Sequence, residues 1–188
     1  MKLWMDQHVA TPGPTSRPLG RRMQKPDRAQ KVLPTNLRDW FSDATLAWWI
    51  QQEVKKLKEE QPEPSLYLHG HSDSDRGTML SILALAFADQ LFESDDIARA
   101  CRSEPVFRRL CQGRPPFSHE VSRFRRQNRP ALEQILSGLF TQAVLLKFGL
   151  DPERLPMELQ EDLHDHAAER LDLARHMDTG QNWWGLES

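Results

Sequence analysis

The sequence predicts an all-α protein, a bundle of several helices, and three observations support this fold class. Apolar residues recur at helical spacings of three and four in successive segments of the chain. Residues that start or stop helices flank these segments, among them Pro105, Pro130 and Gly149. The composition, with 38% hydrophobic and 28% charged residues in a chain of 188, is that of a soluble globular protein with one main core.

The N-terminal part, residues 1–34, shows no period and is rich in proline, glycine and basic residues, including Arg21 and Arg22. This composition predicts a disordered basic arm. Such an arm either follows DNA phosphates or is a plain extension with no binding role, and the sequence leaves both interpretations open.

Two helices are predicted before residue 93. The first is capped by Asp43 and exposes lysines and glutamates on its outer side. Its apolar stripe consists of Leu46, Trp49, Ile50, Val54 and Leu57. A loop containing His69 and His71 follows, and residues 79–92 are then apolar on nearly all sides. This second segment is therefore predicted to be the central buried helix.

Residues 94–127 predict three short helices. Ser94 is the expected N-cap of the first, and Ser118 that of the third. Pro105 suits the first position of the second helix, and Gly113 is placed to end it. The residues expected to face inward are Ile97, Ala100, Cys101, Val106, Phe107, Leu110, Cys111, Val121 and Phe124.

Two further helices are predicted after this segment. Pro130 begins one that ends near Gly149 and packs on the central helix. Its apolar stripe consists of Leu132, Ile135, Leu136, Leu139, Phe140, Ala143 and Val144. The last helix is acidic and begins at Asp151-Pro152 or at Leu155-Pro156. On one side it carries Leu159, Leu163, Ala167, Leu171 and Ala174.

The strongest functional signal is the charge of residues 99–129. They contain nine arginines and two acids, a local charge of +7 in a chain whose formal charge is −2. Arginine, rather than lysine, favours bidentate contacts with phosphate and guanine, so the segment predicts a nucleic-acid partner. The last helix has the opposite sign, since residues 151–178 contain nine acids and three arginines. The alternative is an ordinary surface, on which arginine stems cover apolar area and the heads sit in water.

The order of helix, turn and donor-bearing helix resembles helix-turn-helix modules, which place their second helix in the major groove of DNA. On the third short helix, the side chains expected to approach bases are His119, Ser122, Arg123, Arg126 and Gln127. The side chains expected to contact mostly phosphates are Arg108, Arg109, Arg114, Arg125 and Arg129. Double-stranded DNA is therefore the predicted partner. The predicted domains are the arm at 1–34, a helical DNA-binding domain at 35–149, and an acidic helix with a Trp183-Trp184 tail at 150–188.

Catalytic and metal chemistry find little support in the sequence. His69, His71 and Asp73 alternate in a loop, as zinc ligands can, but no later histidine or cysteine group completes a site. Cys101 and Cys111 are expected to be buried reduced thiols. We therefore predict no catalytic residue, no metal and no cofactor. The longest apolar run, residues 79–88, is too short to span a bilayer, and the expected location is the cytoplasm.

Several blocks of the chain resemble the N-terminal helical domain of InsH-like insertion-sequence transposases. The resemblance covers residues 33–144, and its most specific part is the proline turn at residues 115–116 that leads to Ser122-Arg123-Phe124-Arg125-Arg126. Other blocks that carry it are the segment from Leu33 to Trp40, Asp96-Ile97-Ala98-Arg99-Ala100-Cys101 and Phe107-Arg108-Arg109-Leu110. The resemblance implies a DNA-binding domain that recognises transposon ends ahead of a separate DDE-type, RNase H-like catalytic domain.

The chain departs from that family after residue 150. The family pattern implies a strand with a catalytic Asp soon after the helical domain, whereas this sequence continues with the acidic helix. We therefore transfer no catalytic residue and expect a protein that is not an enzyme by itself. The alternative is a transposase remnant that acts as a protein-interaction module, pairing with a full-length transposase or with itself through the acidic helix and the tryptophan pair.

Overall fold

The computed structural model describes residues 33–60 and 73–183 of the chain. Within these residues it contains seven α-helices and no strand, which confirms the predicted all-α, multi-helix bundle. The helices are α1 (Asp43–Glu60), α2 (Asp73–Ala88), α3 (Ser94–Ser103), α4 (Pro105–Leu110), α5 (Ser118–Gln127), α6 (Arg129–Phe148) and α7 (Met157–Trp183). Short 3-10 helices occur at Leu37–Asp39 and Pro152–Arg154.

Some sequence predictions fall outside this range. The arm up to residue 32, the loop with His69 and His71, and Trp184 lie outside the described residues. Of the residues assigned to the arm, Leu33 lies within the described part of the chain, is 6% exposed and belongs to the core. Burial of this apolar side chain attaches the segment before the first 3-10 helix to the bundle.

Helix α2 is the central helix, as predicted. Every residue from Leu80 to Ala88 is buried, and the other helices pack around it. The helix begins at Asp73, which was expected in the loop with His69 and His71 and instead belongs to the first turn of the helix, where acidic residues are favoured. It ends where Gln90 adopts a φ of 62° and the Leu91 N–H donates to the Ala86 carbonyl over 2.8 Å.

The C-terminal helices α6 and α7 pack along each other. The predicted stripe of α6 is buried throughout, and the helix ends at Gly149, whose φ of 62° favours glycine. Helix α7 starts just after Leu155-Pro156, the second of the two predicted positions. Its residues Leu163, Ala167, Leu171 and Ala174 belong to the same core as the rest of the bundle. The predicted domain boundary at residue 150 therefore lies between two helices that share one hydrophobic core.

One buried arginine joins three parts of the bundle. Arg170 of α7 is 4% exposed, and its Nη1 donates to the carbonyls of Phe87 and Ala88 at the end of α2 over 2.6 and 3.1 Å. Its Nη2 donates to the Thr35 carbonyl over 3.0 Å. Burial lowers the pKa of Arg170 to about 10, so the group remains charged at neutral pH. A cation suits the negative C-terminal end of a helix.

Asp89 lies beside this arginine in a poorly solvated position. Its Oδ2 is 2.9 Å from Arg38 Nη2, and its side chain is 5% exposed. Burial raises the pKa of Asp89 from 3.8 to about 7, although the nearby Arg38 charge opposes the shift. At neutral pH this carboxyl therefore sits close to its midpoint of titration.

Replacing Asp89 with asparagine should remove a pH dependence of stability. Between pH 3.8 and about 7 the folded protein binds a proton that the unfolded chain releases. The contribution of Asp89 to the free energy of unfolding therefore falls as the pH rises through that window. Relative to D89N, the wild type should lose at most about 1.4 kcal/mol per pH unit there. Urea unfolding of both proteins at several pH values measures the gap, and a constant gap would contradict the assignment.

Candidate nucleic-acid interface

Helices α3, α4 and α5 form a basic unit, residues 94–127. Their observed bounds agree with the three predicted short helices. Helix α3 packs against both α4 and α5. Val121 is 0% exposed and Phe124 packs against the core, so the inner face of α5 is the predicted one.

The helix caps of the basic unit differ from those predicted. The N-cap of α3 is Glu93 and that of α5 is Phe117, each one residue earlier than the expected serine. Ser94 is buried, and its hydroxyl accepts a hydrogen bond from Arg125 Nη2 over 3.3 Å instead of capping its helix. At α5, the Phe117 N–H donates to Glu120 Oε2 over 2.8 Å, which fixes the start of the helix.

A tight turn connects α4 to the proline segment before α5. Gln112 and Gly113 have φ values of 50° and 82°, and the Arg114 N–H donates to the Cys111 carbonyl over 2.9 Å. Two successive left-handed residues reverse the chain within four positions. A glutamine in this conformation costs about 1 kcal/mol, so the surrounding packing sets the turn.

The outer face of α5 exposes four of the five side chains predicted to approach bases. His119, Arg123, Arg126 and Gln127 are exposed, and Ser122 is half-buried. Within residues 33–60 and 73–177, no acidic oxygen lies within 4 Å of the Arg123 or Arg126 guanidinium nitrogens. The face thus presents cationic donors to solvent.

The arginines on α4 and in the following turn are exposed as well. Arg108, Arg109 and Arg114 all belong to this set. Together with Arg102 of α3, Arg108 and Arg109 line an open cleft of about 570 Å³. Arg102 was not among the predicted site residues, because its contribution depends on how α3 packs on α4.

Arg125 is not available to phosphate, and its prediction as a phosphate contact is corrected. The residue is 4% exposed, and its Nη1 donates to the Phe92 carbonyl over 2.6 Å. Its guanidinium carbon lies 5.8 Å from the centre of the Phe87 ring. Arg125 is therefore a structural link between α5 and the segment that follows α2.

Arg129 also makes an ion pair within the protein. Its Nη1 donates to Asp172 Oδ1 of α7 over 2.7 Å, and its side chain is 34% exposed. This hydrogen bond lowers the pKa of Asp172 and raises that of Arg129. A phosphate would have to displace Asp172, so Arg129 is removed from the predicted phosphate contacts.

Asn128 connects α5 to α6 without a loop. The residue is buried, and its Nδ2 donates to the Phe124 carbonyl over 3.0 Å. Its Oδ1 accepts from Arg76 Nε of α2 over 3.2 Å. Three helices therefore share this single side chain, which fixes the direction of α5 relative to the bundle.

A groove lies between α2 and α5, with a volume of about 820 Å³. Its lining includes Met79, Arg114, Phe117, His119 and Arg123. Phe117 is 60% exposed, and its ring stacks on that of His119 with centroids 5.7 Å apart and planes 12° apart. The sequence analysis missed Phe117, because an aromatic residue beside a helix start was not distinguished from the core pattern.

Both cysteines are buried and unbridged, as predicted. A hydrogen bond to Cys111 and burial raise the pKa of Cys101, while the same hydrogen bond lowers the pKa of Cys111. In the described part of the chain, no three His, Cys, Asp or Glu residues are grouped as metal ligands would be. Across the same residues, no helix combines the length and apolar character needed to cross a membrane.

Comparison with known proteins gives no match to a family model, a curated protein or a solved structure.

The neighbouring residues Arg125 and Arg126 should differ in their contribution to stability. R125M leaves the Phe92 carbonyl without its donor and should lower the free energy of unfolding by about 1–3 kcal/mol. R126M changes an exposed side chain and should stay within about 0.5 kcal/mol of wild type. Urea unfolding followed by circular dichroism compares them. Equal stabilities of the two variants would contradict the buried role of Arg125.

Proposed function

We propose that this protein binds double-stranded DNA through the outer face of α5, without catalysing strand cleavage itself. The observation that carries the proposal is the arrangement of α5. Val121 secures one face in the core while Arg123 and Arg126 extend from the other with no acidic partner among the described residues. A helix that is anchored in this way and exposes bidentate donors is suited to the major groove.

The charge distribution supports the same partner. Seven of the nine arginines in residues 99–129 are exposed, and only Arg125 and Arg129 are committed to internal contacts. Arg99 pairs with Asp96 of its own helix, and this exposed pair contributes little to stability. The exposed surface of residues 99–129 therefore keeps most of the positive charge of that segment.

The remaining predicted contact residues fall into two groups according to the element that carries them. His119, Ser122, Arg123, Arg126 and Gln127 share α5 and are assigned to base edges in the proposal. Arg108, Arg109 and Arg114 lie on α4 and the turn and are assigned to phosphates. The resemblance to the transposase N-terminal domain adds the expectation that the bound sites are transposon ends or similar sequences.

Duplex binding should depend strongly on salt and on the arginine that is removed. If Arg108, Arg109 and Arg114 each neutralise one phosphate, log affinity should fall with log salt with a slope of about −3. R114A should reduce that slope by about 1 on any sequence. R123A should instead weaken binding to a site selected from a random duplex library by about 1–3 kcal/mol, with a smaller loss on random DNA.

Fluorescence anisotropy with selected and random duplexes at several salt concentrations makes these measurements. An absence of binding at low salt would end the proposal. If R123A weakened binding to both duplexes equally, this would contradict the proposed base contact of Arg123 but not the proposed DNA binding.

A second candidate function is a protein-interaction module that pairs with a full-length transposase or with a second copy of itself. An exposed apolar patch at the end of α6 favours it. Leu146, Phe148 and Leu150 are 61%, 53% and 41% exposed, and Phe148 packs edge-on against Trp40 with centroids 5.9 Å apart. Exposed apolar patches often mark protein contacts.

The patch, rather than the whole acidic helix, is the feature to test. Deleting α7 would remove Leu163 and Leu171 from the core and unfold the bundle. L146S should abolish concentration-dependent association in sedimentation equilibrium, because it removes apolar area from the contact. L173S, at a 45% exposed leucine of α7, is the control and should associate as the wild type does. A wild type that is monomeric at every concentration would contradict self-association.

A further inference from the structure

We propose that the groove between α2 and α5 binds an unpaired DNA base, so that the preferred substrate is a duplex with a locally opened strand. This inference rests on the proposed DNA-binding function and deepens it. Three features of the groove carry the argument: an exposed aromatic stack, a cationic rim and an apolar floor.

The aromatic stack offers a platform for a base. Phe117 exposes 60% of its surface and lies parallel to the His119 ring, at the start of the helix that carries the cationic donors. Its backbone is fixed by the hydrogen bond from its N–H to Glu120 Oε2 and by the buried Pro116 before it. The backbone that carries the ring is thus held in place before any ligand arrives, which reduces the entropy cost of stacking.

The rim of the groove suits the sugar-phosphate chain of a nucleotide. Arg114 and Arg123 both line the groove, and both are exposed. Among the described residues that line it, Glu120 is the one acid, and its Oε2 already accepts the Phe117 N–H over 2.8 Å. The electrostatic balance therefore favours an anionic ligand.

The floor combines apolar and polar side chains. The half-buried Met79 supplies apolar surface, and Thr78, Gln112 and Gln127 supply groups that can bond to a base edge. The volume of about 820 Å³ falls within the range of roughly 300–1,000 Å³ found for small-molecule sites. A single nucleotide matches this mixture of flat apolar faces and polar edges.

The occupant must be unpaired. Inside a closed duplex, away from its ends, neighbouring bases cover both faces of each base, so none of these bases can stack on Phe117 without leaving the helix. A base in an opened region has already lost its stacking partners, and the Phe117 ring can replace one of them. The groove therefore distinguishes opened from closed DNA, whereas the outer face of α5 binds both.

The test compares two labelled duplexes that share one strand. In the first duplex this strand is fully paired, and in the second an internal mismatch opens a short bubble that contains 2-aminopurine. The wild type should bind the bubble duplex about 5- to 150-fold more tightly, the range expected for one base stacked on an aromatic side chain. Binding should also quench the 2-aminopurine fluorescence, which reports stacking directly.

Substitutions at Phe117 locate the effect. F117S should bring the two duplexes to equal affinity and remove the quenching, whereas F117W should keep the preference. W48S is the matched control, because Trp48 on α1 is 58% exposed and lies outside the groove. Circular dichroism verifies that each variant is folded.

The outcomes separate this inference from the proposed function. Equal wild-type affinities for paired and opened DNA, or a preference that F117S retains, would overturn the unpaired-base site and leave duplex binding intact. Failure to bind either duplex would overturn both.

Discussion

Two buried guanidinium groups anchor the helices around the C-terminal end of α2, and the rest of the bundle depends on them. Arg170 donates to the carbonyls of Phe87 and Ala88, and Arg125 donates to that of Phe92. A helix end in the core leaves carbonyls without partners, and an unpaired buried acceptor costs about 1–3 kcal/mol. Arg170 meets this need from α7, while Arg125 of α5 bonds to the Phe92 carbonyl in the segment that follows α2. The acidic helix and the basic unit are therefore both attached near the C-terminal end of the central helix.

This arrangement divides the arginines of the basic unit into two kinds. Arg125 binds backbone inside the protein, while its neighbour Arg126 extends to solvent. Adjacent positions on a helix differ in direction by about 100°, so identical side chains meet opposite surroundings. The positive surface is therefore the part of the arginine segment that the fold does not itself use.

Much of the fold could be predicted from local patterns. Pro105 and Gly149 mark helix limits through fixed backbone preferences, and the spacing of Leu132, Ile135 and Leu139 predicts the buried face of α6. The caps at Ser94 and Ser118 could not be predicted correctly, because Ser94 is recruited by Arg125 across the fold and Glu120 supplies the bond at Phe117. Such partners are set by tertiary packing.

In the candidate site, too, some features follow from local sequence patterns and others depend on tertiary packing. Exposure of Arg123 and Gln127 follows from the helical period, since Val121 must face the core. The loss of Arg129 to Asp172, and the groove beside Phe117, could not be predicted, because each joins elements far apart in the sequence. The assignment to DNA, and the likeness to a transposase domain, remain proposals that rest on residue chemistry.

Asn128 has a consequence for the speed of recognition. Because its amide group bonds to the Phe124 carbonyl and to Arg76, α5 has no hinge where it meets α6. Partners that need no rearrangement can associate at rates set by diffusion and orientation, and complementary charge raises those rates further. In the proposed DNA-binding role, a helix held at a fixed angle would sample many DNA positions by brief encounters, and the lifetime of each encounter would decide where the protein stays.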